Sequence, residues 1–383
     1  MVRAVRRGAS LRAVARQFHV SPTTVQRWLA RARGQRLDRI DLRDYSSAPY
    51  RVANRMSLAL EDLVLQLRRE LRDQSDLGEF GAAAIRRELL TRGLAEPPSL
   101  RTIGRILERR GALDARHRVR RPAPPLGWYL PEVSARRAEL DEFDVVEGLL
   151  IKGGPEVMVL TGVSLHGGLS AAWPRTSITA AVTREALVEH WRAVGLPAYA
   201  QFDNDTRFQG PHQYPDTIGT VIRLCLSLGV VPVFAVPHEM GLQAAIESLN
   251  GRWQAKVWAR FHHPSLEALQ AQSAKYMLAS RQRAAARIEA APPRRPFPVQ
   301  WRFKSTAPVK GRIIYLRRTT AQGGVTLLGH TFVVDPLWSH RLVRCEVDID
   351  AAVLRFYALR RREPDWQPLL REVPYRLSQR YYS

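Results

Sequence analysis

The sequence predicts a multidomain protein with an all-α N-terminal third, an α/β core on a mixed sheet and a small C-terminal β-barrel. Three observations carry that expectation. Apolar spacing is helical up to about residue 113, alternates between strand-like and helix-like runs from about 138, and reduces to short turn-bounded strands beyond about 304. The Pro- and Arg-rich stretches RHRVRRPAPPLG (116–127) and PPRRPFP (292–298) separate these regimes as stiff linkers. A chain of 383 residues suits two to four domains.

Charge narrows the class of partner. There are 59 Lys+Arg against 36 Asp+Glu, a net +23, and only five cations are Lys (152, 256, 275, 304 and 310). Arginine forks bidentately onto phosphate and onto guanine edges, so the excess suits nucleic acid, although a biased base composition of the gene would also raise it. Residues 1–137 hold 29 Lys+Arg and 14 Asp+Glu, so +15 of the excess lies in the N-terminal third. Cys225 and Cys345 stand alone, which excludes a disulfide framework and a Cys-rich zinc site and fits a reducing compartment. The longest apolar run, around 230–236, is too short to span a bilayer, and no signal-peptide core follows the basic N-terminus. A cytoplasmic, nucleoid-associated protein without a membrane partner is expected.

The helical third divides in two. In GASLRAVARQFHVSPTTVQRWLARAR, Leu11, Val14, Ala15 and Phe18 share one helical face. His19 sits at a tight turn, Ser21 and Pro22 open a second helix, and Val25, Trp28 and Leu29 form its buried side. This is the helix-turn-helix pattern, whose second helix enters the major groove and would present Thr23, Thr24, Gln26, Arg27 and Arg31. After a polar stretch, helices at 57–71, 79–93 and 98–111 form a second unit. In the last of them Ile103, Ile106 and Leu107 face inward, while Arg101, Arg105, Arg109 and Arg110 face out, where they suit a phosphate backbone.

Past the first linker, three strand-like runs in close succession (138–151, 155–165, 167–174) precede a helix (183–195), a strand (196–203), a helix (217–229), a buried strand (230–236) and a long helix (242–261). The order β-β-β-α-β-α-β-α is that of the ribonuclease-H-like fold. Such a fold would bring together Asp144 in the first strand, Asp203 ending the fourth and Glu247 in the last helix, spaced 59 residues (144 to 203) and 44 residues (203 to 247). Carboxylate oxygens are the ligands hard cations prefer, and three carboxylates can hold Mg²⁺ or Mn²⁺, two ions in the two-metal arrangement that serves phosphodiester chemistry. Asp141, three residues before Asp144, remains an alternative first acid. His212 and His238 flank the region as single histidines and read as structural, and no His/Cys cluster suggests zinc.

These residues resemble the catalytic core of the retroviral integrase and bacterial transposase superfamily. FDNDTRF (202–208) looks like its Asp-Asn-Gly…Phe string, AIESLNGRW (245–253) like its Glu…Asn helix, and ELDEFDVVEGLLIKGG (139–154) like its first acidic strand. The resemblance takes in most of the chain, with domains at 1–34 and 53–115 for DNA reading, a linker at 116–135, a catalytic core at 136–290 and a barrel at 304–383. It departs in three places. Asp205 replaces a glycine, the gap from second to third acid is longer with its surplus in FQGPHQYPDT, and the second strand ends VSLHGG without a spare acid.

The resemblance implies metal-dependent cleavage and strand transfer on double-stranded DNA, both element ends and target, by a homo-oligomer assembled on that DNA. Asn250 and Lys256 would touch the substrate strand from the Glu247 helix, Asn204 would orient the acid loop, and Trp253 is more in keeping with core packing than with base stacking. Two other readings stay open: a catalytically decayed, sequence-specific DNA-binding protein of the same family, and a nuclease of the same fold.

Overall fold

The structure, a computed structural model, describes residues 1–37, 56–113, 126–211, 214–237, 239, 241–361 and 363–378. They fall into two compact units, Met1–Glu61 and Asp62–Ser383.

In the first unit, helices α1 (Val2–Arg6), α2 (Leu11–Gln17) and α3 (Pro22–Arg31) surround a small core of Val14, Ala15 and Val25. The expected turn is present. His19 takes φ 53°, and the Ser21 hydroxyl caps α3 by accepting from the Thr24 amide at 3.1 Å. Two points differ from the sequence reading. Helix α1 precedes the predicted pair and packs Val5 and Ala4 on the core, while Leu11 and Phe18 are exposed, since so small a core closes over only part of the α2 face.

Helices α4 (Leu58–Gln74), α5 (Ala82–Thr91) and α6 (Leu100–Arg109) follow. Ile103, Ile106 and Leu107 of α6 are buried as predicted, Ser99 caps it, and Arg101 and Arg105 are exposed. The segment between α4 and α5 is tied to the α/β part of the same unit. Lys256 donates to the Gly78 carbonyl at 2.8 Å, and Arg260 donates to that of Ser75. The second helical segment is therefore joined to the core rather than carried apart from it.

After α7 (Pro131–Ser134) come β1 (Leu140–Leu150), β2 (Glu156–Ser164) and β3 (Ser170–Arg175), then α8 (Ala180–Val194), β4 (Tyr199–Phe202), α9 (Thr206–Gln209), α10 (Thr220–Ser227), β5 (Val231–Phe234) and α11 (Ala244–Trp253). A π-helical turn over Gln254–Trp258 extends α11; α12 (Leu266–Arg283) and α13 (Ala285–Glu289) complete the helices. β1, β2 and β3 pair antiparallel, and β4 and β5 add parallel to β1. The order β3-β2-β1-β4-β5 is the ribonuclease-H-like arrangement.

The expected C-terminal barrel is not what forms. Strands β6 (Arg312–Arg318), β9 (Leu342–Asp348), β10 (Val353–Ala358) and β11 (Leu369–Pro374) continue the core sheet beyond β5, giving nine strands in one open order among the described residues. β7 (Gly324–Leu327) and β8 (His330–Val333) make a separate hairpin. Short alternating strands fit either outcome, because the pattern does not say which edge they join. The junction is an aromatic ladder across adjacent strands. Phe143 stacks on Phe202 (5.6 Å between centroids), Phe202 neighbours Phe234 (6.0 Å), and Phe234 stacks on Tyr315 of β6 (5.2 Å). All four rings are buried, and such pairs add about 0.5–1.5 kcal/mol each beyond their burial.

Helices α8 and α10 cover the ladder face, and α11 and α12 cover the other, where Val146 meets Ile246, Leu249 and Trp253. Side chains of β1 alternate between these faces. Asp141 points to the ladder side, where its two oxygens take both terminal nitrogens of Arg294 at 2.8 and 2.6 Å and one also accepts from Trp191. Arg294 thereby anchors the Pro/Arg segment under α8. With Asp141 only 1% exposed, Arg294→Ala should strand a buried charge and lower stability by about 3–5 kcal/mol, read as a shift of the denaturant midpoint. An unchanged midpoint would contradict a structural role for the pair.

Candidate active site

β1 and β4 run parallel with Asp141 opposite Ala200 and Glu142 opposite Gln201. Two residues further along both strands, the same register sets Asp144 beside Asp203. The Asp144 charge reaches Asp203 accordingly. Burial holds the Asp144 carboxyl above its ordinary range, with the negative charge of Glu247 adding to the effect. Burial also pushes Asp203 up to about 6, again with the Asp144 charge contributing. Glu247 lies exposed in the first turn of α11 and completes the set electrostatically. Asp141 faces away into its ion pair, so Asp144 is the β1 acid on this side.

The acids are held by neighbours. Asp144 accepts from its neighbour's amide, Val145 N–H, at 2.8 Å and from the Asn250 amide nitrogen at 2.7 Å, while the Asn250 oxygen accepts from the Thr161 hydroxyl at 2.7 Å. Asn250 is thus a buried positioning group rather than a surface contact, and its place one turn after Glu247 ties α11 to β1. Asn204 donates to the Ala235 carbonyl at 2.7 Å and accepts from Gln209, fastening the loop after β4 as expected. Asp205, standing where the resembled family has glycine, keeps an extended backbone and caps α9. Its carboxylate also grips Arg207, which reaches Glu147 of β1 at 2.6 Å.

Glu142 is a residue the sequence reading missed. On the same face as Asp144, it is buried and accepts from the amides of Ala245 and Ile246 (2.9 Å to the latter), capping the start of the helix that carries Glu247. Burial pushes its carboxyl up to about 8. Tyr129 and Gln201 both donate to the Leu242 carbonyl just before α11, at 3.1 and 2.8 Å, and bond each other. Spacing of two along a strand was the available signal, since Glu142 and Asp144 must share a face. Glu139 likewise serves the VSLHGG turn, accepting from the amides of His166 and Gly167 at 2.9 Å each.

Other predicted residues fall elsewhere. Lys256 is engaged with Gly78 and lies over the Phe80 ring, so it braces the α4–α5 connection instead of facing a strand of DNA. Trp253 is fully buried and donates to Ser273, as core packing requires. In the N-terminal unit Thr23, Gln26 and Arg27 are exposed on α3, Thr24 bonds the Ser21 hydroxyl, and the Arg31 guanidinium sits 5.0 Å from the Trp28 ring centre. His212 and His238 lie outside the described residues.

Among the described residues, no three His, Cys, Asp or Glu side chains are already gathered as a metal-binding group. The donor chemistry nonetheless fits one. Two half-buried carboxylates whose charged forms are disfavoured by burial, with a third on an exposed helical turn, are relieved by a divalent cation.

A helix-turn-helix domain model matches residues 1–41. Those residues are similar to that family, and α2, the His19 turn and α3 have the helix-turn-helix form. No curated protein matches the chain in sequence. Among solved structures, the catalytic core of BIV integrase is similar at 16% identity over 37% of this chain and 80% of its own, with a TM-score of 0.27. The simian T-cell lymphotropic virus intasome is similar at 14% identity over 72% of this chain and 88% of its own (TM-score 0.33). The HTLV-2 integrase core solved with magnesium is similar at 16% over 35% and 80% (TM-score 0.26). At such scores the strand order, not these superpositions, carries the fold assignment. No helix among the described residues is long and apolar enough to cross a membrane.

The raised carboxyl of Asp203 has a cost. A folded-state value of about 6 against about 3.9 in the unfolded chain means folding binds protons, so this group takes stability away as pH rises through that window. Asp203→Asn should therefore stabilise the protein at pH 7.5 by about 1–2 kcal/mol, allowing for solvent screening at a half-buried site. The gain should fade below about pH 4. Melting temperatures of the two proteins across pH check this, and an equal gain at all pH values would contradict it.

Proposed function

We propose that the chain belongs to the transposase and retroviral-integrase superfamily and catalyses metal-dependent DNA cleavage and strand transfer with Asp144, Asp203 and Glu247. The observation that carries this reading is the β1–β4 register, which sets Asp144 beside Asp203 with Glu247 within electrostatic reach. The helix-turn-helix domain and the ribonuclease-H-like strand order support it.

The protein's part in the chemistry is positioning. Asp144, Asp203 and Glu247 would hold Mg²⁺ or Mn²⁺, and two such ions supply charge to the attacking and departing oxygens of an in-line displacement. Asn250 and the Val145 amide keep Asp144 aimed, the Asp205 amide keeps Asp203 aimed, and Glu142 holds the start of α11. Thr23, Thr24, Gln26, Arg27 and Arg31 on α3 would read base edges of double-stranded DNA, and Arg101 and Arg105 of α6 would hold phosphates. Element ends and target would both be DNA duplexes, engaged by a homo-oligomer.

Asp144→Ala, Asp203→Ala and Glu247→Ala should each abolish Mg²⁺-dependent nicking and joining of DNA by the purified protein while leaving duplex binding nearly intact. Activity above background in any of the three would refute the triad. The alternative is a catalytically decayed, sequence-specific DNA-binding protein of the same family. It predicts duplex binding without metal-dependent turnover in the unaltered protein.

Binding should also be steeply salt-dependent. With about six to ten phosphate contacts, duplex affinity should fall about 10³–10⁵-fold between about 50 and 200 mM salt. Arg105→Ala should shallow the slope by about one unit for every sequence, and Arg27→Ala should cost about 1–3 kcal/mol and relax preference at one base position. Fluorescence anisotropy titrations at several salt concentrations measure both. A slope near zero for the intact protein would mean that the basic excess does not serve DNA.

A further inference from the structure

Helix α11 carries the third acid, yet its own N-terminus has no cap. Gln243 stands at the N-cap without a capping side-chain bond, and glutamine is outside the short polar set that caps helices well. The sheet supplies the missing partners. Glu142 of β1 and Gln201 of β4 are register neighbours, two residues before Asp144 and Asp203 on their strands and on the same face. Glu142 accepts from the amides of Ala245 and Ile246, and the Gln201 amide nitrogen donates to the Leu242 carbonyl at 2.8 Å. One rung of the sheet therefore grips two donors and one acceptor at the start of the helix.

Tyr129 completes the group. Its hydroxyl lies 2.5 Å from the Gln201 oxygen, which fixes how that amide is turned, and 3.1 Å from the same Leu242 carbonyl. Glu142, Gln201 and Tyr129 are all buried, in a layer otherwise apolar that includes Leu130, Leu140, Val233 and Leu242. Polar groups in such surroundings cost stability unless bonded, and apolar side chains of similar size would avoid that cost. Among the described residues, the hydrogen bonds of these three side chains go only to one another and to the backbone of residues 242, 245 and 246. What they secure is a position. One turn on, Asn250 ties the same helix to Asp144 at 2.7 Å. Glu247, one residue after Ile246 and three before Asn250, is bracketed by these two ties.

We propose that Gln201 and Tyr129, together with Glu142, are positioning residues for Glu247: they fix the start of α11 so that this carboxylate serves the same divalent cation as Asp144 and Asp203. The proposal rests on the reading of the acid trio as a metal site. The two rungs shared by β1 and β4 then have separate tasks, Glu142 with Gln201 for the helix and Asp144 with Asp203 for the cation. Glu142 is a brace and not a fourth ligand, because it is only 1% exposed and its carboxylate is engaged by two amides.

The test uses the full-length protein and Mn²⁺ without DNA, with binding read from the loss of the free-ion electron paramagnetic resonance signal. Gln201→Leu and Glu142→Leu should each weaken binding about 10–100-fold, as loss of a group that orients a ligand does. Tyr129→Phe, which removes one oxygen and keeps the packing, should cost less and repeats the test if the larger changes unfold the protein. Glu142→Gln keeps an oxygen for the two amides and should recover most of the loss. In a Glu247→Ala background Gln201→Leu should cost little further, because the brace acts through Glu247. Undiminished affinity in Gln201→Leu, or an unchanged cost in the Glu247→Ala background, would overturn the proposal. So would an equal loss in Glu142→Gln and Glu142→Leu, which would make Glu142 a ligand. Amide hydrogen exchange in metal-free protein reads the brace apart from the acid site. Exchange at residues 245–247 should quicken in Gln201→Leu and, to a smaller degree, in Tyr129→Phe; unchanged exchange in both would contradict the brace. Quickened exchange in the variants with no Mn²⁺ bound by the unaltered protein would leave the brace standing and count against the metal reading.

Discussion

Three acids within four residues of β1 divide between the two faces of the sheet, and the rest of the molecule is arranged around that division. Asp141 turns toward α8 and is neutralised by Arg294, which brings the Pro/Arg segment after α13 back under the core. Glu142 and Asp144 turn toward α11, where one caps the helix and the other meets Asp203. A strand offers only two directions, so a slip of one residue would put the capping carboxyl in the aromatic layer and the ion pair in the site. The buried partners on each side, Trp191 and Arg294 on one and the amides of Ala245 and Ile246 on the other, make that slip costly.

The site is consequently a place of stored electrostatic cost. Asp144 and Asp203 sit near one another and partly out of water, and burial raises the proton affinity of both, with the Asp144 charge adding to that of Asp203. Hydrogen bonds from Asn250, Val145 and Asp205 offset part of that cost without neutralising the charge. Carboxylates kept under such strain by a rigid sheet are suited to gathering a cation at the mouth of β1 and β4. The aromatic ladder supplies the rigidity, running from Phe143 to Tyr315 across four strands that include both acid-bearing ones. It also makes the C-terminal strands part of the site's support.

Much of this was legible in the chain. The helix-turn-helix reading rested on Ser21, Pro22 and the His19 turn, all local chemistry, and those features stand in the structure. The order of strands and helices, and the placing of Asp203 at the end of a strand, followed from periodicity. Asn204 was expected to orient the acid loop, and its amide bonds Ala235 and Gln209 there. What was missed was non-local. Asn250 and Lys256 lie on the predicted helix, yet one turns in to hold Asp144 and the other reaches back to Gly78. Neither partner is near in sequence.

By itself the sequence determined where elements begin and end, which residue types were available for metal or phosphate, and that most of the positive charge lies before residue 138. Caps, turns and alternation act over a few residues, so they can be read without knowing the fold. Only the tertiary structure turned Asp141 and Asp144 to opposite faces, made Glu142 a helix cap, and turned the C-terminal strands from an expected barrel into an extension of the sheet. Those outcomes depend on which strand edges and which buried charges meet across tens or hundreds of residues. An edge strand carries the same alternation whether it closes on its neighbours or joins an existing sheet, and a buried acid looks the same in sequence whether an arginine or a helix start awaits it.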